Sequence, residues 1–202
     1  MDKHTQKVEK VVVIAASAGG INALLKVFSS LPADLPAAIL VVQHLQADQQ
    51  THLPEYLTRN TPVRVCLAQD GLPLEVSVGY IAVPGKHLRV ENGSLILSLE
   101  EPVRYLRPSA DILFTSAAQA FGSNVIGVIL SGTGQDGTRG CQEIKKKGGV
   151  TIAQDEKTSR YFTMPKSSIE AGIVDYVLPL TEIAERIVAL VKGYKDSLAI
   201  EP

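Results

Sequence analysis

Three apolar runs in this chain end in the same way, and together they narrow the fold more than any other feature. Val11 to Ala16 stops at Ser17, Ile39 to Gln43 stops at His44, and Val125 to Leu130 leads through a glycine-rich loop to Asp136. Each run is β-branched or alanine-rich and too short to be a helix, so each predicts a strand buried on both faces. Runs of that kind belong to parallel sheets covered by helices. In such sheets the carboxyl ends of the strands lie along one edge, where sites are built. Ser17, His44 and Asp136 are thus expected on one edge.

The segments between the runs support this reading. Ser17-Ala18-Gly19-Gly20 turns the first strand into a segment with apolar residues at Ile21, Leu24, Leu25, Val27 and Phe28, a helical spacing. A crossover helix is expected within Leu45 to Asn60 and a further strand over Val63 to Leu67. The middle differs: after a strand at Gly79 to Val83, two short strands flank Asn92-Gly93, the dipeptide suited to a two-residue hairpin. An antiparallel hairpin is expected at one sheet edge. Pro108-Ser109 opens a helix with Ser109 as cap, and a helix over about Thr138 to Lys147 follows the glycine-rich loop. Strands at Val150 to Ala153 and Val174 to Leu178 come next. Thr181 is the expected cap of a closing helix with Ile183, Ile187, Leu190, Val191 and Tyr194 facing inward.

The expected fold class is α/β: a three-layer α/β/α, mostly parallel, doubly wound Rossmann-like sheet with one antiparallel hairpin at an edge. Its core is aliphatic, because hydrophobic residues make up 45% of the chain and aromatics only 5%, with no Trp. The 202 residues suit one domain, bounded as a tail at 1–10, a folded domain at 11–195 and a tail at 196–202.

Charge and cysteine usage exclude several classes. With 20 Lys and Arg against 21 Asp and Glu, the chain has no general attraction to nucleic acid or anionic membrane. No apolar stretch reaches the ~20 residues of a membrane span, and Met1 to Lys10 lacks the apolar core of a secretory signal. The two cysteines, Cys66 and Cys141, are expected as buried or free thiols in a reducing compartment. The expected location is cytoplasmic.

Alone, each member of the polar trio has a plain structural reading: Ser17 as a helix cap, His44 as a hydrogen-bonded structural histidine, Asp136 as a turn former. Jointly they supply a nucleophile, a base and an orienting acid on one edge. Amides from Ala18 to Gly20 could serve a tetrahedral oxyanion. A nucleotide-binding reading of the glycine-rich turns lacks both a complete G-x-G-x-x-G and a P-loop lysine. A metal site using His44, His52 and Asp136 lacks a short ligand motif. A non-catalytic receptor-binding module is a third alternative.

From Val11 to Val191 the chain resembles the catalytic domain of the bacterial chemotaxis protein-glutamate methylesterases (CheB-type). The resemblance is carried by Ile14 to Gly20, Val41 to His44, Arg107 to Phe114, Gly127 to Gly137, and Ile152 to Asp155 with Met164-Pro165. It implies Ser17 as nucleophile, His44 as base and Asp136 as its orienting acid. The amides of Ala18 and Thr133 become the oxyanion hole, and Arg107 a contact to the acidic substrate helix. The implied substrates are glutamate γ-methyl esters on the cytoplasmic helices of chemoreceptors, releasing methanol, with glutamine deamidation in some members. No metal or organic cofactor is required. Ala18 and Thr133 stand where many members have threonine and methionine, and Leu45-Gln46 where methionine-proline is frequent. Only ten residues precede the first strand, where the family usually carries a receiver domain; a receiver domain or another chemotaxis protein is an expected partner.

Overall fold

A computed structural model of the chain describes residues 7–45 and 51–193. Gln46, Tyr194 and the tail at 196–202 lie outside the described residues, as do the first six residues of the amino-terminal tail.

Seven strands form one parallel sheet in the order β3-β4-β2-β1-β7-β8-β9. These are β1 (Val11–Ala16), β2 (Ala38–Gln43), β3 (Arg64–Leu67), β4 (Val78–Ile81), β7 (Val125–Ile129), β8 (Val150–Gln154) and β9 (Tyr176–Leu178). From the central β1 the chain first builds outward through β2, then crosses back to lay β7 on the other side. This reversal is the switch point at which doubly wound sheets open a crevice.

Every residue of β1 and β2 is buried, so both faces of these strands are covered. Alternation sends Val11, Val13 and Ala15 into the core beneath α3 (Ala110–Phe121) and α4 (Thr138–Lys146). Val12, Ile14 and Ala16 enter the opposite core with α1 (Gly20–Ser29), α2 (Leu53–Asn60) and α6 (Leu180–Lys192). The three expected layers are present.

Four details differ from the reading of the sequence. The hairpin of β5 (His87–Glu91) and β6 (Ser94–Ser98) does turn at Asn92-Gly93, both with positive φ. It forms its own two-stranded sheet rather than extending the edge of the large one. The reason is apolar: Leu88, Val90 and Leu95 are buried in the core shared with α3, and Ser116 Oγ on α3 accepts from the Val90 amide at 3.1 Å. A helix not anticipated, α5 (Thr163–Glu170), follows β8; Pro165 hid it, although proline is tolerated in a first turn. The closing helix starts at Leu180, after Pro179, and Thr181 is not its cap. Finally, Val8 is buried in the main core and Lys10 Nζ donates to Leu190 O at 2.8 Å, so residues 7–10 pack against the domain.

Both cysteines are free thiols, Cys141 buried and Cys66 partly so. Burial pushes both thiols above their ordinary range. Among the described residues no helix is long and apolar enough to cross a membrane.

Candidate active site

Strand register sets Ser17 and His44 side by side. β1 and β2 pair with Ala16 opposite Gln43, and the His44 amide extends the ladder by donating to Ala16 O at 3.0 Å. One further step along this register sets Ser17 beside His44. Alternation points both toward the α3 face, since Ala15 and Val42 lie there. On the other flank the Ser17 amide donates to Ser131 O at 3.0 Å, which ties the serine to the end of β7.

The loop after β7 delivers Asp136. His44 Nε2 and Asp136 Oδ2 are 2.8 Å apart, with side-chain exposures of 9% and 4%, so the pair is nearly removed from water. Asp136 is more than a partner for the imidazole. Its Oδ2 accepts from the Ala110 amide at 2.6 Å, and its Oδ1 accepts from the Asp111 amide at 3.0 Å and from Ser109 Oγ at 2.8 Å. Burial alone would raise this carboxyl, but the His44 bond and the two amides outweigh burial and hold it below its ordinary value. It is an anion in the folded protein.

Asp111 returns the favour. Its Oδ1 accepts from the amides of Gly137 and Gly140 at 2.9 Å each. Asp136 therefore caps α3 while Asp111 caps α4, each carboxylate closing the other's helix. Burial raises the Asp111 carboxyl, with the neighbouring Asp136 charge adding to it.

The nucleophile turn is built around absent side chains. Gly19 has φ of 75°, and a Cβ there would lie 2.9 Å from both Arg160 Cβ and Ser131 Oγ. A Cβ on Gly132 would lie 2.9 Å from Ser17 Cβ and 3.0 Å from Met164 Sδ. The serine turn, the loop after β7 and the start of α5 therefore meet at van der Waals distance only because two residues are glycine. Among the described residues neither the Ala18 nor the Thr133 amide meets an acceptor.

Other groups at this edge were not singled out by the sequence. Gln43 Nε2 donates to Ser17 O at 3.0 Å and to His44 O at 3.1 Å, stapling the two strand ends. Gln154, ending β8, accepts from the Ser131 amide and donates to Thr158 O, each at 2.8 Å. The signal that could have found them is an amide side chain closing a fully apolar strand. Ser109 was expected to cap α3; it occupies that position, but its hydroxyl makes no capping bond. Asp136 performs the cap instead. Arg107 is committed to its own loop, with Nη1 donating to Leu99 O and Glu100 O at 3.1 and 3.0 Å.

A buried His44–Asp136 pair at the switch point of a parallel sheet, on the edge that also carries Ser17, marks a doubly wound α/β domain with its site at the carboxyl ends of the strands. Residues 12–187 match the CheB methylesterase family, and the chain belongs to that family. It is 43% identical over 185 residues to a protein-glutamate methylesterase/protein-glutamine glutaminase of Pyrococcus horikoshii, covering 90% of this chain and 50% of that protein. A relative with the same description from Clostridium acetobutylicum is 38% identical, covering 92% and 54%. The crystal structure of the Thermotoga maritima CheB methylesterase catalytic domain superposes with a TM-score of 0.87 at 38% identity, covering 90% of this chain and 98% of that one. The chain spans about half the length of the curated relatives it matches.

Proposed function

We propose that residues 11–195 are the catalytic domain of a protein-glutamate methylesterase, with Ser17, His44 and Asp136 as its triad. The observation that carries the reading is the buried His44–Asp136 pair, 2.8 Å apart, with His44 just past the end of β2, the strand paired with the one that leads into Ser17. A carboxylate held as an anion against one ring nitrogen leaves the other free to take a proton. Because Asp136 engages Nε2, the basic nitrogen in this proposal is Nδ1.

In the proposed reaction Ser17 Oγ bonds to the γ-carbonyl carbon of a methylated glutamate and its proton passes to His44 Nδ1. The oxyanion accepts from the Ala18 and Thr133 amides. Collapse breaks the bond to the methoxy oxygen, which leaves as methanol with the proton from the imidazolium. Water then attacks the acyl-serine while Nδ1 takes its proton, and Ser17 departs with that proton. The product is a glutamate carboxylate. A glutamine amide would follow the same path and release ammonia; the names of the relatives carry this second activity.

The proposed substrates are the methylated cytoplasmic helices of chemoreceptors, which sets the compartment as the cytoplasm. Arg107 is the proposed contact to an acidic receptor helix, and its bonds to Leu99 and Glu100 hold the loop from which it acts. A receiver domain or another chemotaxis protein is the proposed regulatory partner.

The test is methanol release from methylated receptor fragments by the wild type and by Ser17→Ala. Loss of release in the variant with an unchanged melting temperature is expected, since Ser17 is only partly buried and its peptide groups carry its hydrogen bonds. Full activity in Ser17→Ala would overturn the assignment.

A further inference from the structure

Ser109 is fully buried and sits at the N-cap of α3 with extended backbone, yet its hydroxyl leaves the helix amides alone. Those amides, of Ala110 and Asp111, are already satisfied by Asp136. The hydroxyl instead donates to Asp136 Oδ1 at 2.8 Å. Apart from His44, it is the one side chain among the described residues that donates to this carboxylate.

A second buried group holds Ser109 in place. His87, the first residue of β5 and fully buried, accepts from the Ser109 amide through Nδ1 at 3.2 Å. Its proton is then on Nε2, which faces Glu101 O at 3.2 Å. The chain of contacts runs from the hairpin through His87 and Ser109 to Asp136, and from there to His44.

We propose that Ser109 is a positioning residue of this site, acting through Asp136, and that His87 locks it in the geometry required. Within the triad reading on which this rests, the effect has two parts. Donation to Oδ1 fixes the carboxylate plane so that Oδ2 faces His44 Nε2. It also draws charge from the carboxylate, so Asp136 holds the imidazole without gripping its proton too tightly. The charged groups around the network are Asp111 on α3, which acts on Asp136, Arg104, which acts on Asp111, and Arg107, Glu100 and Arg89, which act on His87.

The test compares wild type, Ser109→Ala and Ser109→Thr in two measurements. The first is the pH profile of methyl-ester hydrolysis. In Ser109→Ala, kcat falls about tenfold with KM within twofold, and the acid limb moves to higher pH by about half a unit to one unit, because the less-bonded carboxylate holds the imidazolium more strongly. Ser109→Thr, which keeps the hydroxyl, restores the limb. The second is an NMR titration of the His44 ring in the resting protein, where the same upward movement is expected in Ser109→Ala whether or not ester is turned over. A lower melting temperature with an unmoved limb and an unmoved His44 titration would mean that Ser109 is only structural, and would overturn the inference. If the wild type released no methanol while the titration still moved, the functional reading would fall and the positioning role would stand.

Discussion

Replacing Asp136 with asparagine tests the centre of the site with a change of one atom. The carboxylate collects donors on both oxygens: Ser109 Oγ and the Asp111 amide on Oδ1, the Ala110 amide and His44 on Oδ2. The asparagine oxygen can keep the Oδ1 side. Its NH2 group must then occupy the Oδ2 side, where it meets the Ala110 N–H donor to donor and compels His44 Nε2 to become an acceptor. The imidazole proton moves to Nδ1, and the nitrogen proposed as the base is lost. Wrong-tautomer variants of such triads lose roughly ten-thousand-fold in kcat, and a loss of that order is expected here. Stability falls as well. Losing the charge from a buried hydrogen-bonded carboxylate costs about 1.5–3 kcal/mol and weakening the α3 cap about 1 kcal/mol, so a loss near 3 kcal/mol is expected. Methanol release at pH 7.5 and urea unfolding monitored by circular dichroism measure the two quantities. Activity within tenfold of wild type, or unfolding free energy within about 0.5 kcal/mol, would refute the reasoning.

Two further outcomes follow from other parts of the structure. Gly19→Ala places a Cβ at a φ of 75°, 2.9 Å from Arg160 Cβ and Ser131 Oγ. The left-handed backbone alone costs about 1–2 kcal/mol, and the contacts displace the serine turn, so thermal stability and ester hydrolysis should fall together; retention of both would contradict the crowding. His87 is held below its ordinary value, first by burial, with Arg107 adding to it. A group whose folded value is depressed contributes stability above its unfolded value, about 6.5, that is lost as pH falls below it, at no more than about 1.4 kcal/mol per pH unit. Unfolding free energy should therefore decline between pH 7 and 5 in the wild type and decline less in His87→Gln, measured by urea titration at fixed ionic strength.

What the sequence made legible and what it hid divide along physical lines. Ser17 and His44 stood out because a polar residue following a doubly buried strand breaks a simple pattern, which parallel register converts into proximity, and Asp136 stood out in the glycine-rich loop that follows a third such strand. The hairpin was visible in Asn92-Gly93, but its placement was not, because Leu88 and Leu95 fit an edge strand and a cover for α3 equally well by alternation. Ser109 illustrates the deeper limit. Its residue type and position both say helix cap, and only a carboxylate arriving from a loop 27 residues away turns the hydroxyl elsewhere. Arg107 is the converse, a charge whose sequence context suggested an outward task while carbonyls of its own loop engage one end of it. Local propensity cannot see such long-range competition for donors.

The exchange of caps between Asp136 and Asp111 bears on when the site comes into being during folding. The first amides of α3 find their acceptor in the loop after β7 and those of α4 find theirs on α3, so the two helix ends are satisfied together by docking. The contact of Asp136 with His44 spans 92 residues and waits on the same event, making it one of the costliest loop closures in the chain. The orientation of the His44 ring is thus a property of the whole folded domain, since the strand that carries it supplies no partner for Nε2.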